Sequence, residues 1–86
     1  MADNNKYILT ISVRTREKVL YEGVAKTVTS FNYRGRFDIL PEHTNFITLI
    51  SRYVIINTDS DEEQKIELDK GVLYVMSNRV NVYVGI

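Results

Sequence analysis

The feature that most constrains the fold is an alternation of apolar and polar side chains with a period of two residues. In "YILTISV" (7–13) one face carries Tyr, Leu, Ile and Val, and the other Ile, Thr and Ser. The same period recurs in "QKIELD" (64–69) and in "RVNVYVGI" (79–86). Because successive side chains of a strand point to opposite faces, this pattern predicts strands with one face in a core and one in water.

Further strand candidates lie between these segments, separated by turn residues. Two of them are apolar on both faces, "YVII" (53–56) and "VLYVM" (72–76), which is typical of central strands or of strands covered by a partner. The others are "VLYE" (19–22), "VAKTVTSFNY" (24–33), "RFDIL" (36–40) and "FITLI" (46–50). The last one also fits a single turn of helix. We predict an all-β fold, a small β-sandwich or flattened barrel of about eight to ten short, mostly antiparallel strands.

Length, charge and cysteine content restrict the class of protein. The chain has 86 residues, which predicts a single domain over residues 6–86 behind a flexible tail of residues 1–5. Eleven basic and eleven acidic side chains cancel, so no long-range attraction draws the chain to nucleic acid or anionic lipid. There is no cysteine, which excludes a disulfide framework and a thiolate metal site. The start, "MADNNKY", lacks a hydrophobic signal region, so we expect a cytoplasmic protein.

The segment "YRGRFDILPEHTNF" (33–46) holds the only proline and the only histidine. A catalytic triad of Ser30, His43 and Asp38 is compositionally available, but neither a nucleophile elbow nor a glycine-rich oxyanion turn accompanies it. A histidine that is hydrogen-bonded within a loop is the simpler interpretation. We therefore predict no catalytic residue.

No cofactor or metal site is predicted either. The acidic run "TDSDEE" (58–63) lacks the glycine and the closing glutamate of a calcium loop, which favours a solvated hairpin turn. One histidine with scattered carboxylates is a poor ligand supply for a transition metal. The four glycines lie too far apart for a phosphate-binding loop.

The segment "FNYRGRF" (31–37) leaves nucleic-acid binding open. Aromatic rings interleaved with arginines stack on bases and follow phosphates, and Tyr33, Arg34 and Arg36 are the candidates for this role. The neutral net charge argues against it. The structural alternative is that Phe31 and Phe37 point inward while the residues between them turn the corner.

The order of these landmarks resembles a known family. The segments "LYEGV" (20–24), "GRFDILPEH" (35–43) and "KGVLYV" (70–75), followed by "NRVNVYV" (78–84), resemble the N-terminal β-sandwich of the epsilon subunit of F-type ATP synthases. The resemblance covers about residues 6–86. Its most specific part is the P-x-H loop between two strands. Members of the family often carry glycine where this chain has Glu42 or Lys70, and a small or acidic residue in place of Arg36.

The resemblance implies a non-catalytic rotor subunit in the central stalk, without cofactor. It would bind the gamma subunit and the membrane c-ring, coupling proton or sodium flow to ATP synthesis at the cytoplasmic side of the cell membrane. The family's C-terminal helical hairpin has no counterpart before Ile86. A natural short form and a trimmed chain both remain open.

One set of residues follows from the resemblance, and a second from the turn residues that separate the predicted strands. We expect one partner-contact loop made of Arg34, Gly35, Arg36, Glu42, His43 and Asn45. We expect structural turns at Gly23, Pro41 and Gly71. The alternatives are a stand-alone β-sandwich interaction module and a nucleic-acid-binding β-barrel.

Overall fold

Seven β-strands account for most of residues 7–85, the part of the chain that the computed structural model describes. The predicted tail of residues 1–5 lies outside this part. The all-β prediction is confirmed, and no helix among the described residues is long and apolar enough to span a membrane. The strands are β1 Leu9–Arg14, β2 Val19–Ala25, β3 Val28–Asn32, β4 Gly35–Ile39, β5 Phe46–Ile56, β6 Gln64–Met76 and β7 Arg79–Val84.

The strands form one sheet that folds over itself into two layers. Their order is β2-β1-β7-β6-β5-β3-β4, and every neighbouring pair is antiparallel except β1 with β7. Strand β7 pairs only with the second half of β6, residues 71–76, and β3 pairs only with residues 54–56 of β5. The first layer therefore holds β2, β1, β7 and the adjoining halves of β6 and β5. The second layer holds the other halves with β3 and β4.

Strands β5 and β6 are longer than the sequence predicted. The segments 46–50 and 53–56 are parts of one 11-residue strand, and 64–69 and 72–76 are parts of one 13-residue strand. Both strands continue across these junctions, because the irregularity in their pairing is confined to a single register shift between Ser51 and Arg52. These mergers reduce the expected eight to ten strands to seven among the described residues. The helical alternative for residues 46–50 is wrong, since this segment pairs with β6 residues 71–75.

Two of the three predicted turn residues lie within strands. Gly23 is inside β2, opposite Ile11, and Gly71 is inside β6, opposite Ile50. At Gly71 a Cβ atom would lie 2.6 Å from the carbonyl oxygen of Tyr83, so glycine is required by the close approach of β7 and not by a turn. Pro41 lies in the turn that follows β4.

The core lies between the two layers and is built from alternate residues of nearly every strand. Its packing follows from the period-two pattern, because the apolar face of each strand turns toward the other layer. Partly buried Phe37 and Phe46 close one end of it, with ring centroids 6.0 Å apart. The fully or almost fully buried members are Leu9, Ile11, Val13, Ala25, Val28, Ile39, Ile50, Val54, Ile56, Leu73, Val75, Val80 and Val82.

Candidate partner-binding surfaces

The predicted contact loop is divided by β4 into two separate groups. Arg34 belongs to the β3–β4 turn, and Gly35 and Arg36 begin β4. The remaining predicted residues follow the other end of β4, in the connection to β5. At about 3.3 Å per residue, the five residues of β4 place the two groups roughly 13 Å or more apart. The prediction of one contact loop is therefore corrected to two loops at opposite ends of a strand.

The first group is held by local hydrogen bonding. The Arg34 amide donates to Oδ1 of Asn32 over 2.9 Å, which closes the turn from the β3 side. Gly35 has φ 113°, a backbone conformation that glycine adopts without the steric cost of a Cβ atom. Tyr33 is 89% exposed, and the Arg34 guanidinium lies 6.0 Å from its ring centre. Arg36 is exposed and is paired with Phe31 across the β3–β4 ladder.

Phe31 and Phe37 do not share a face, contrary to the inward orientation expected for both. Phe37 packs against the core, whereas Phe31 contacts Tyr53 with ring centroids 6.2 Å apart. Residues 31 and 37 belong to adjacent antiparallel strands whose register pairs Phe31 with Arg36, one residue away from Phe37. A one-residue offset reverses the face, so Phe31 lies outside with Arg36.

The second group, in the β4–β5 connection (residues 40–45), is fastened to the β6–β7 turn. The Glu42 amide donates to Oδ1 of Asn78 over 2.6 Å, and Nδ2 of Asn78 donates to Oε2 of Glu42 over 3.2 Å. The Ser77 amide donates to Oδ1 of Asn45 over 3.0 Å. Glu42 itself has φ 71°. Three hydrogen bonds between the two loops thus fix the position of the connection.

His43 serves as a brace within the same connection. Its amide donates to the Leu40 carbonyl over 3.2 Å, and its Nδ1 lies 2.7 Å from the Thr44 carbonyl oxygen. Its ring packs beside Phe46, with centroids 5.1 Å apart. The histidine is therefore tied into the loop, in agreement with the simpler of the two sequence interpretations.

The substitution Asn78→Gly tests the clamp between the two loops. Ser77 and Asn78 have φ 50° and 65°, so glycine suits the turn at position 78 while it removes both side-chain bonds to Glu42. We expect the Glu42 amide to exchange its hydrogen about five- to tenfold faster, which corresponds to about 1 kcal/mol for one lost bond. Hydrogen exchange measured by NMR on the folded chain provides the readout.

The Thr10 amide is the internal control for that experiment. It donates to the backbone carbonyl of Asn78 over 2.8 Å, and this bond survives the substitution. Its exchange rate should stay constant. An unchanged rate at Glu42 would show that the clamp does not protect the loop, and faster exchange at both amides would show that the turn itself had opened.

The candidate catalytic and metal-ligating residues do not come together among residues 7–85. The Ser30 hydroxyl donates to the Tyr53 carbonyl over 2.7 Å, and Asp38 accepts a 2.6 Å hydrogen bond from Thr29, so neither meets His43 as a triad requires. In the acidic turn, Glu63 accepts a hydrogen bond from the amide of Asp59. Within residues 7–85, no group of histidine and carboxylate side chains is arranged to hold a metal ion.

A surface that single motifs did not reveal lies on the outer side of the first layer. We define the apolar face as Ile47, Leu49, Val72, Tyr74 and Tyr83. These residues are cross-strand neighbours, since Ile47 pairs with Tyr74, and Val72 pairs with both Leu49 and Tyr83. Ile47 and Leu49 are 69% and 68% exposed. The rings of Tyr74 and Tyr83 are stacked with centroids 6.4 Å apart.

The sequence carried a partial signal for the apolar face. The run "VLYVM" is apolar on both faces, and the structure places Leu73 and Val75 in the core with Val72 and Tyr74 on the opposite side. Residues 46–50 are predicted only as a strand candidate and not as a two-sided strand, although they supply the most exposed members. An exposed, contiguous apolar surface on a small domain is typical of a protein interface.

Comparison with known proteins gives a consistent result. A family model described as the β-sandwich domain of the ATP synthase delta/epsilon chain matches residues 8–85. The ATP synthase epsilon chain of Brevibacillus brevis is 32% identical over 75 residues, which cover 86% of this chain and 57% of that protein. The epsilon chain of Helicobacter pylori is 32% identical over 75 residues, which cover 87% and 61%. The chain thus spans about three fifths of the length of these relatives.

Solved structures show the same fold at low sequence identity. A chain in the mitochondrial ATP synthase of Euglena gracilis, solved with OSCP, F1 and the c-ring, superimposes with a TM-score of 0.81 at 9% identity, covering 91% of this chain and 51% of that one. A chain in the central stalk and c-ring structure from Tetrahymena thermophila gives 0.69 at 12% identity, covering 88% and 62%.

Proposed function

Because this chain belongs to the β-sandwich family of ATP synthase delta and epsilon chains, we propose that it is a non-catalytic subunit of the central stalk. In this role it binds the gamma subunit and the membrane c-ring, so that ion flow through the ring is coupled to ATP synthesis. It lies at the cytoplasmic side of the cell membrane and reaches the membrane only through the complex. The family match over residues 8–85 carries the proposal.

The apolar face is the surface proposed to bind gamma. Its aliphatic and aromatic side chains extend over three adjacent strands, β5, β6 and β7. Burial of such a surface supplies about 25 cal/mol per Å² of apolar area, and aromatic residues are frequent at the centres of interfaces. A sheet face is also less deformable than a loop, which suits a contact that must transmit torque.

The β4–β5 connection is the surface proposed to contact the c-ring. Glu42 and Asn45 are exposed there and are fixed by the β6–β7 turn. A loop that is already ordered loses little conformational entropy on binding. Because Arg34, Gly35 and Arg36 lie at the other end of β4, they are not assigned to this contact.

The experiment is affinity purification of the tagged chain from its native membranes, followed by mass spectrometry of the recovered subunits. The parent chain should recover gamma, alpha, beta and the c subunit. Leu49→Asp should reduce the recovery of gamma at least tenfold, because it places a charge in a buried apolar contact. Glu42→Lys should reduce recovery of the c subunit alone. This holds when the other subunits have first been dissociated from the c-ring.

Val24→Asp is the matched control. Val24 is 56% exposed but lies on β2, four strands away from β5 in the same layer, or about 19 Å. Its substitution should leave the recovery of gamma unchanged. If the parent chain recovers none of these subunits from membranes in which the synthase is intact, the stalk function is rejected and a stand-alone interaction module becomes the better interpretation. Equal losses with Leu49→Asp and Val24→Asp would reject only the assignment of the face.

A further inference from the structure

The outer side of the second layer carries a continuous series of cations and aromatic rings. The Arg52 guanidinium lies 3.9 Å from the centre of the Phe31 ring, Phe31 contacts Tyr53 edge to face, and the Lys65 ammonium lies 5.3 Å from the centre of the Tyr53 ring. Arg36 is the cross-strand neighbour of Phe31. We call these five residues the cation–aromatic face. It spans β4, β3, β5 and β6.

Arg52 reaches this face through an unfavourable backbone conformation. Both Ile50 and Val54 are buried, so a regular strand would turn residue 52 toward the core as well. Instead Arg52 has φ 76° at the register shift, and its side chain is exposed above Phe31. A non-glycine residue in the left-handed region is unusual within a strand, and such strain is found preferentially at functional positions.

The contacts leave the cations able to receive an anion. A guanidinium that stacks on a ring keeps its N–H groups at the edge, where they bind carboxylates in a bidentate manner. Asp38, on the same side of β4 as Arg36, already accepts a 2.6 Å hydrogen bond from the buried Thr29. The partners that the structure gives to Arg52 and Lys65 are rings, not carboxylates.

An apolar groove adjoins the cation–aromatic face. It has a volume of about 490 Å³, and its walls include Phe31, Tyr33, Leu49 and the backbone at Gly71. Phe31 belongs to both features and therefore joins them. A ligand that spans both features would carry negative charge and an apolar side chain together.

We propose that the cation–aromatic face binds an acidic polypeptide segment, with one apolar side chain of that segment in the groove. Carboxylates spaced along a polypeptide can meet Arg36, Arg52 and Lys65 while they avoid Glu67, which is paired with Tyr53 on this side of β6. A continuous polyphosphate backbone would encounter Glu67, and the net charge of zero provides no compensating attraction. The groove shares Leu49 with the apolar face, but the cation–aromatic face contains none of the residues assigned to the stalk contacts, and the inference does not depend on the proposed function.

The test uses short fluorescein-labelled probes and the whole chain, with binding measured by fluorescence anisotropy. One peptide alternates glutamate with leucine, a second alternates lysine with leucine, and the third probe is single-stranded oligothymidylate. The glutamate peptide should bind, and raising the salt from about 50 to about 300 mM should weaken binding several-fold. Equal binding of the lysine peptide, or tighter binding of oligothymidylate, would overturn the proposal.

Arg52→Gly and Arg36→Gln locate the binding site. Each should weaken binding of the glutamate peptide about tenfold, the effect of one charge-assisted hydrogen bond. Glycine tolerates φ 76°, so the melting temperature of Arg52→Gly should equal or exceed that of the parent chain, which separates loss of binding from loss of folding. Arg16→Gln, at an exposed position in the β1–β2 turn, is the control and should bind as the parent does. Unchanged binding in both face variants would overturn the assignment.

Discussion

Gly71→Ala is expected to lower the free energy of unfolding by about 2–4 kcal/mol. The added Cβ atom would lie 2.6 Å from the carbonyl oxygen of Tyr83, closer than any real contact of this type. The obstructing atom belongs to the backbone of β7, so no side-chain rotation relieves the clash. The strand must move, and the pairing of Gly71 with Ile50 and Val84 on its two sides would be strained.

Chemical denaturation of Gly71→Ala beside Gly23→Ala measures this effect. At Gly23 the new Cβ atom would lie 3.0 Å from the hydroxyl oxygen of Tyr21, which is the far end of a side chain and can shift. Gly23 also lies on β2, at the edge of the sheet. Its substitution should cost less than about 1 kcal/mol. Equal costs at the two positions would show that the close approach of β6 and β7 does not determine the need for glycine at position 71.

The fold class was predictable because it depends on a repeated local pattern. Strands β1 and β7 and the first half of β6 show the period-two alternation in their own sequences, and the buried residues Leu9, Ile11 and Val13 are those that the pattern assigns to one face. The lengths of β5 and β6 were not predictable in the same way. Ser51 and Arg52 interrupt the apolar run and glycine often marks an irregularity in a strand, and only the pairing with neighbouring strands shows that the chain continues through residues 51–52 and 71.

The candidate surfaces were less predictable than the fold because they depend on register. Residues 34–45 are close in sequence, but β4 carries the chain away from one loop and into another. The face on which Phe31 lies depends on a one-residue difference in the pairing with Arg36, which no local pattern encodes. The contact between Glu42 and Asn78 joins residues 36 positions apart, and no local sequence pattern encodes it. The resemblance points to the P-x-H loop, but it does not predict the β6–β7 turn to which this loop is hydrogen-bonded.

Leu73→Ala is expected to cost about 3–4 kcal/mol, within the range for a leucine truncated in a tightly packed core. Leu73 is 0% exposed and lies in β6 between Thr48 of β5 and Val82 of β7. Residues on both sides of it are held by ladder hydrogen bonds, so the cavity cannot collapse fully. Since small domains have total stabilities of about 5–15 kcal/mol, this loss should be visible as a large decrease in the melting temperature and in the denaturant midpoint.

Leu49→Ala is the matched variant, because it makes the same chemical change in the neighbouring strand. Leu49 is exposed on the apolar face, so its truncation should change the stability of the isolated chain by less than about 0.5 kcal/mol. If a partner buries Leu49, the free-energy cost of its truncation should appear as weaker binding of that partner and not as lower stability. A large loss of stability in Leu49→Ala would mean that the apolar face supports the fold of the isolated chain. The expected contrast, stability lost at Leu73 and binding lost at Leu49, would assign the two sides of the same layer to different tasks.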